Sequence, residues 1–309
     1  MISPAPVELC VAICTRDRRE SLGRVLDSLA DQIASVSWEV LVVDNGSDDG
    51  SAELVRARVD DYPVSLRLSR ESRRGIALAR NRALQDAAGG ILVFLDDDMT
   101  VHAGLVEVHA RALRDPGVVA TGGRIVPRLP QGAPHWIEEA ARTAIGGPTG
   151  RYDFGDEVRE VGGATRTPAP FAGNMGLNRA LALEVGSFRA DLGYAARLIP
   201  GEESELCRRL VAGSDARRMI YLPDAIAEHH VQLDKTSEDY GRRWYRGHGR
   251  VTVLEDPPRS LGDRLLRIVK SSGRALIWRL RGLRSSWPRG NVLRKGCRAE
   301  GKLLQLIGL

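Results

Sequence analysis

Three consecutive carboxylates, Asp96, Asp97 and Asp98, have the residue type and spacing that most directly suggest chemistry in this chain of 309 residues. They follow an apolar run, residues 91–95, whose length and flanking glycines predict a buried strand. Ligands of open α/β sheets bind at the carboxyl ends of the strands, and carboxylate oxygens there suit a hard divalent cation and a phosphorylated ligand. Alternation along an extended chain points Asp96 and Asp98 the same way and Asp97 the other way. The alternative is a solvated acidic turn.

The elements before this cluster alternate between apolar runs and helical patterns. We predict strands at residues 7–14, 38–43 and 64–68, and helices at residues 20–31, from Ser51 onward and at residues 75–88. This alternation is typical of a parallel sheet with right-handed crossovers. The sequence therefore predicts an α/β fold with the acidic cluster at one sheet edge.

The pattern changes after residue 100. We predict helices at residues 102–113 and 179–185 and from residue 201, strands at residues 118–126 and 221–227, and irregular structure at residues 131–167.

Composition narrows the class of protein. An apolar content of 43% is enough for a sizeable core, and no stretch approaches the roughly 18 apolar residues of a spanning helix. The four cysteines form no CxxC pair, and residues 1–6 lack the pattern of a secretory signal. We therefore expect reduced thiols and a cytoplasmic protein.

Basic charge is concentrated at the C-terminus. Residues 257–309 carry 13 Lys/Arg against two acidic residues, whereas residues 1–256 carry 32 against 38. One predicted helical stripe contains Leu261, Leu265, Ile268, Ser272, Leu276, Leu280 and Leu283. A basic amphipathic helix suits an anionic membrane surface, which would make the protein peripheral on the inner face of the plasma membrane. A helix that packs on the main domain has the same pattern.

Five motifs occur in a familiar order: residues 11–18 (VAICTRDR), residues 42–47 (VVDNGS), Gly75 with residues 79–81 (ARN), residues 94–98 (FLDDD) and residues 201–203 (GEE). Together they resemble the family-2 glycosyltransferases with the GT-A fold, over roughly residues 7–250. The resemblance implies a GT-A type fold, α/β with a Rossmann-like, mostly parallel sheet flanked by helices, and a C-terminal basic helical extension. We predict a domain at residues 1–250, with a nucleotide-sugar half at 7–120 and an acceptor half at 121–250, and a tail at 251–309.

The resemblance also assigns the donor site. It places Thr15, Asp17 and Arg18 beside the nucleotide base and Asp44 on the base or ribose, although Asp44 also fits an Asx turn. It places Arg74, Gly75, Arg80 and Asn81 beside the diphosphate, near a helix start whose amides favour phosphate oxygens. Arg80 equally fits a surface arginine or one paired with an aspartate. Asp96 and Asp97 complete the residues assigned to the nucleotide sugar.

The same resemblance implies a metal site. Asp96 and Asp98 match the Asp-x-Asp element that holds Mg²⁺ or Mn²⁺ across the donor diphosphate, where the cation acts as a Lewis acid. His229 is expected as a third ligand, although the pair His229 and His230 also fits two partly buried histidines.

The catalytic base is expected in the acid pair. Glu203 matches the position of the general base of inverting enzymes, but it is Glu where the family has Asp, so Glu202 remains the second candidate. Both carboxylates also suit the start of a helix, because negative charge there stabilises the helix dipole. Gly173 and Asn174 match the wall between donor and acceptor, with Gly173 permitting close approach of a sugar and Asn174 bonding it.

The implied activity is an inverting, metal-dependent transfer of a sugar from a nucleoside-diphosphate sugar, UDP being the expected nucleotide, to a glycan or glycolipid acceptor, as in cell-surface polysaccharide or glycoconjugate assembly. A nucleotidyltransferase would need a glycine-rich signature after the first strand, and a dehydrogenase Gly-x-Gly-x-x-Gly; residues 15–18 contain neither. The remaining alternative is a catalytically silent module that binds a partner or membrane surface through its tail. Nucleic acid is not expected as a partner, because the tail has only two tryptophans among its cations.

Overall fold

The computed structural model describes residues 6–165, 167–193, 201–283 and 289–308. The first part of the chain alternates strands and helices as predicted. Its elements are β1 (Leu9–Thr15), α1 (Arg19–Ala30), β2 (Trp38–Asp44), α2 (Ser51–Arg56), β3 (Ser65–Arg70), α3 (Ile76–Asp86) and β4 (Ile91–Asp96). The strands β3, β2, β1 and β4 are neighbours in that order, and all three pairings are parallel.

The rest of the sheet contains both parallel and antiparallel pairs. The elements that follow β4 along the chain are β5 (Met99–Val101), α4 (Leu105–Leu113), β6 (Val118–Arg128), α5 (His135–Ala141), β7 (Arg159–Val161), β8 (Asn174–Asn178), α6 (Arg179–Glu184), α7 (Glu202–Ala212) and β9 (Arg218–His230). The short strand β8 lies antiparallel between β4 and β6, and β6 pairs with β9 in parallel. β5 and β7 are antiparallel to β9. The prediction of an α/β fold is confirmed.

The core explains why the strand predictions succeeded. Residues of β1, β2 and β4 are almost all buried, because helices cover both faces of a parallel sheet. In α1 the residues at helical spacing, Leu22, Val25, Leu26 and Leu29, are fully buried. The burial removes apolar surface from water along the whole stripe and fixes the helix on the sheet.

One part of the secondary-structure prediction is wrong and another is missing. Residues 131–167 were expected to be irregular, yet they contain α5 and β7, and Tyr152 bridges to Ile125 with its side chain fully buried. Residues 238–255, for which we predicted nothing, form the long helix α8 (Glu238–Glu255).

The C-terminal elements are α8, α9 (Leu261–Gly282), α10 (Arg289–Val292), a five-residue π-helical turn (Leu293–Cys297) and α11 (Arg298–Ile307). α8 and α11 approach closely at glycines: a Cβ at Gly249 would collide with the backbone of Arg298, and one at Gly301 with the backbone of Arg246. Backbone contact of this kind depends on the partner helix, so a sequence pattern does not reveal it. No helix of the described residues is long and apolar enough to cross a membrane.

The contacts divide the chain into two compact units. The described residues within 1–128, 150–191 and 202–230 form the first unit, and those within 129–149, 192–201 and 231–309 form the second. The boundary expected at residue 250 falls inside α8, which is continuous from Glu238 to Glu255. The second unit therefore includes α5 and α8 as well as the basic tail; the separate domains stay a prediction.

Candidate active site

The ends of three parallel strands lie side by side at one edge of the sheet. Thr15 at the end of β1 is in register with Asp44 at the end of β2, and Cys14 is in register with Asp96 at the end of β4. The sheet therefore brings Thr15, Asp44 and the acidic triplet, Asp96 to Asp98, to the same edge, which is where the strand pattern predicted the triplet.

Two loops that follow β1 and β2 are tied together at this edge. Asp17 adopts a φ of 52°, which is uncommon for a residue other than glycine. Its amide donates to Ser47 Oγ at 3.0 Å, and its Oδ1 accepts from the Asp48 amide at 2.8 Å. Asp17 thus shapes the loop assigned to the nucleotide base, and its exposed carboxylate already has backbone and Arg16 partners.

At the end of β2, the side chains of Asp44 and Asn45 each bind nearby backbone groups. Asp44 Oδ1 accepts from the Ser47 amide at 3.0 Å, so the Asx turn is present. Asn45, whose role the sequence did not reveal, donates through Nδ2 to the carbonyls of Glu71 and Arg73 and accepts from the Gly75 amide at 2.9 Å. The signal was available, since an asparagine followed by glycine after a buried strand commonly satisfies nearby backbone groups.

The segment assigned to the diphosphate begins α3. Gly75 has a φ of 151°, which favours glycine, and it is the residue before the first helical turn. Arg74 beside it is exposed, and none of the described side chains forms an ion pair with it. A helix start and an available guanidinium are together suited to phosphate oxygens.

The acidic triplet is arranged asymmetrically. Asp97 is buried and accepts from Thr15 Oγ1 at 2.8 Å, so both side chains are engaged with each other rather than open to a ligand. Burial raises the pKa of Asp97 to about 7, against the opposing effect of Arg18. Asp98 is also buried and lies 3.0 Å from Arg18 Nη1, whereas the Asp96 side chain is 42% exposed. Arg18 therefore offsets the charge of Asp97 and Asp98.

Two of the three residues expected to bind a metal, Asp98 and His229, lie close together. Within the described ranges, no group of three or more His, Cys, Asp or Glu side chains is arranged to hold a metal ion. His229 Nε2 and Asp98 Oδ1 lie 3.4 Å apart, close to the ~3 Å between neighbouring ligands of an octahedral ion with bonds near 2.1 Å. Mg²⁺ is usually held by one or two carboxylates plus substrate phosphates, which this donor set allows.

Arg80 and Asn81, which were assigned to the diphosphate, are bonded to other protein groups. Arg80 is buried and its guanidinium donates to Glu202 Oε1 and, at 3.3 Å, to Asp96 Oδ1. The carboxamide of Asn81 exchanges two hydrogen bonds of 2.8 Å with the backbone of Phe188. Both residues position protein groups, and the predicted direct contact with the donor is not what this geometry offers.

Glu202 and Glu203 begin α7 in different environments. Glu202 is buried and paired with Arg80. Glu203 Oε2 is shielded from solvent and has no hydrogen-bond partner among the described residues. Burial, with the neighbouring Glu202 as a second cause, raises the pKa of Glu203 to about 8. A carboxyl group whose pKa is raised by burial toward neutral pH has the properties of a general base.

The two residues predicted to form the wall between donor and acceptor, Gly173 and Asn174, have different surroundings. A Cβ at Gly173 would lie 3.1 Å from Asp96 Oδ2, so the glycine lets the backbone pack against that carboxylate. Asn174 is 1% exposed, and its Nδ2 donates to the carbonyl of Ala225 at 2.8 Å while its Oδ1 bonds His109 Nε2 at 2.9 Å. Asn174 therefore fills the irregularity between β6 and β9, and its predicted bond to a sugar is not supported by this placement.

A second buried residue completes this network and was missed in the sequence. His109 Nδ1 lies 2.7 Å from Thr121 Oγ1, and burial lowers the pKa of His109 to about 4. The imidazole is therefore neutral, donating to Asn174 and accepting from Thr121. Nothing in the spacing of these three residues predicts their contact, because they lie on α4, β6 and β8.

Comparison with known proteins agrees with this geometry. The profile described as Glycosyl transferase family 2 matches residues 10–180. An uncharacterized glycosyltransferase, YfnE, of Bacillus subtilis is 39% identical over 102 residues, 33% of this chain and 26% of the relative. The glucosyl-dolichyl phosphate glucuronosyltransferase of Haloferax volcanii is 23% identical over 250 residues, 79% of this chain and 76% of the relative. The chain spans less than half the length of the first two curated relatives that it matches.

Solved structures agree in fold. The mannosyltransferase PcManGT from Pyrobaculum calidifontis, solved with GDP-Man and Mn²⁺, superimposes with a TM-score of 0.65 at 19% identity, covering 98% of this chain and 89% of that chain. At this identity the likeness concerns the fold alone, which is of the GT-A type. Since the family profile covers more than half of the sequence and its motifs lie at one sheet edge, the chain belongs to glycosyl transferase family 2.

Proposed function

We propose that the protein transfers a sugar from a nucleoside-diphosphate sugar to an acceptor hydroxyl, with inversion at the anomeric carbon and with Glu203 as the general base. The observation that carries the proposal is the contrast within the acid pair. Arg80 neutralises Glu202, whereas one oxygen of Glu203 is enclosed without a hydrogen-bond partner in the part of the chain that the structure describes. An enclosed carboxylate with a pKa near 8 gains by taking a proton from an acceptor hydroxyl.

The remaining residues hold and orient the donor. Asp44 is proposed to accept from the base or ribose, and Arg74 with the first amides of α3 to bind the diphosphate. Arg80 joins Asp96 to Glu202, so it ties the donor edge to the start of α7 within the same unit. This coupling would keep the base at a fixed distance from the reacting centre, which is where positional precision affects rate most.

We propose Asp98, Asp96 and His229 as the ligands of Mg²⁺ or Mn²⁺. When bound, the cation would stabilise negative charge on the departing diphosphate. Asp98 and His229 already point at each other across 3.4 Å, and Asp96 is the most open of the three carboxylates. The mannosyltransferase of similar fold named above was solved with GDP-Man and Mn²⁺, which supports a divalent cation in this proposal.

A lipid-linked acceptor and a UDP-linked donor are further parts of the proposal. The Haloferax relative is named for its action on a glucosyl-dolichyl phosphate and matches 79% of this chain. The donor base rests on the family resemblance. An assay with radiolabelled UDP-sugars and either polyprenyl-phosphate-linked or soluble acceptors separates the two acceptor classes by organic extraction.

The direct test is thermal stabilisation by UDP, GDP, CDP and dTDP, each with and without Mn²⁺. A ligand at about 100 times its dissociation constant adds roughly 2.7 kcal/mol to the stability of the folded state. We expect one diphosphate to stabilise the wild type only with Mn²⁺, and Asp98→Asn to abolish the shift. Asp61→Asn, which changes an exposed aspartate of the same unit, is the matched control.

No shift with any diphosphate would favour a catalytically silent module. Stabilisation without Mn²⁺ dependence would retain the donor site and remove the metal from the proposal. Inversion is tested separately by NMR of the product. The coupling constant of the anomeric proton should report the anomeric configuration opposite to that of the donor.

A further inference from the structure

The helix α9 has two apolar faces, of which one is covered and the other is exposed in the part of the chain that the structure describes. Ser271, Ala275 and Trp278 are buried on the narrow face. On the opposite side lie eight apolar residues whose exposed fractions run from 48% to 83%: Leu261, Leu265, Leu266, Val269, Leu276, Ile277, Leu280 and Leu283. We call these eight residues the open face. At 1.5 Å per residue, the helix extends it over about 33 Å.

Contacts within the second unit hold α9 in this orientation. Arg264 Nε donates to the Leu306 carbonyl at 2.7 Å, and Arg279 pairs with Glu300 at 2.8 Å, both in α11. The Trp278 side chain packs close to Gly296. The narrow face is therefore fixed on its own unit, and turning the open face inward would break these contacts.

The open face is bordered by cations. α9 carries six Lys/Arg against one acidic residue, Asp263, which is paired with Arg267. Lys270 and Arg274 are exposed beside the open face, and neither forms an ion pair within the described part of the chain. An apolar strip with unneutralised cations along its edge is the pattern of a helix that lies in a membrane interface.

We propose that the open face of α9 binds an anionic bilayer surface, lying in the plane of the interface with its leucines among the acyl chains and its cations at the headgroups. The width of the face favours a bilayer over a partner helix. At 100° per residue the apolar positions span about 160° of the circumference, broader than a coiled-coil seam. A second copy of the chain would bring the same excess of positive charge to the contact, whereas anionic lipid neutralises it.

The test is flotation of the full chain with vesicles of phosphatidylcholine, alone or mixed with phosphatidylglycerol. We expect flotation with the mixed vesicles that weakens as salt is raised. The variant Leu265→Gln/Val269→Gln/Leu276→Gln should remove it. Its control, Ile33→Gln/Leu233→Gln, changes exposed apolar residues elsewhere and should float like the wild type.

A charge variant tests the cationic border independently. Lys270→Gln/Arg274→Gln should weaken partitioning into mixed vesicles about 30-fold, because each cation at an anionic surface contributes about 1 kcal/mol and 1.4 kcal/mol is a factor of ten. Arg111→Gln/Arg142→Gln removes two exposed cations from other helical segments and should have little effect. All substituted positions are exposed, so circular dichroism and the melting temperature should be unchanged.

Three outcomes would overturn the proposal. They are no flotation of the wild type, equal binding to neutral and mixed vesicles, and flotation that the leucine variant retains. Concentration-dependent dimerisation in sedimentation velocity that the leucine variant abolishes, without flotation, would assign the open face to a second copy instead. The nucleotide-dependent thermal shift is measured on the same variants, so failure here is distinguishable from failure of the proposed transferase activity.

Discussion

Replacing Glu203 with glutamine should stabilise the protein, and increasingly so as the pH rises. Burial raises the pKa of Glu203 from 4.5 to about 8. Between these two values the folded state holds a proton that the unfolded state has lost, so the wild-type free energy of unfolding falls with rising pH and levels off above 8. Glu203→Gln keeps the shape of the side chain and removes this ionisation.

The expected magnitude follows from the pKa difference. Each pH unit inside the window changes the relative stability by up to about 1.4 kcal/mol, so from about pH 5 to pH 8 the variant should gain roughly 3 to 4 kcal/mol over the wild type. The gain is an upper bound because the carboxylates of Glu202 and Glu203 interact and titrate together.

The assay is urea denaturation at several pH values across this window, followed by circular dichroism. Glu205→Gln is the matched control on the same helix. Its carboxylate is bound by Arg209 at 2.7 Å, so its loss should destabilise the protein. A Glu203→Gln variant that is less stable than the wild type, or equally stable at every pH, would refute the enclosed carboxylate and with it the physical basis for Glu203 as base.

Further predictions concern positioning residues and the base. Asn174→Ala should lower the free energy of unfolding by roughly 2 to 4 kcal/mol in urea denaturation, because it leaves His109 and a backbone carbonyl unpaired, while the nucleotide-dependent thermal shift persists. Arg80→Met should destabilise the fold by about 3 to 5 kcal/mol by leaving Glu202 buried and unpaired, and the double variant with Glu202→Gln should recover part of the loss. Gly75→Ala should weaken diphosphate binding in titration calorimetry, since alanine is strained at a φ of 151°. In steady-state kinetics, wild-type kcat/KM should rise about tenfold per pH unit toward a midpoint near 8.

The donor edge illustrates how far sequence reasoning reached in the site. The apolar run before Asp96 placed the acidic cluster at one sheet edge, and the family resemblance assigned Thr15 and Asp44 to the nucleotide. The register of β1 with β2 and β4 brings all three residues to the same edge. The hydrogen-bond partner that each side chain finds was not accessible in this way. Asp97 turns to Thr15, and Asn174 turns into the sheet, because partners from distant segments compete for their hydrogen bonds.

The sequence by itself determined the parallel strands β1, β2 and β4, the helix α1, the acidic edge and the family, because buried strands and amphipathic helices leave periodic patterns and the motifs keep a fixed order. Only the tertiary structure decided that Arg80 joins Asp96 to Glu202, leaving Glu203 Oε2 without a hydrogen bond among the described residues, and that α8 packs against α11 where Gly249 and Gly301 let the backbones approach. It also decided which apolar face of α9 is covered. Each of these depends on which distant side chains or backbones reach the same place, and spacing along the chain carries no information about that.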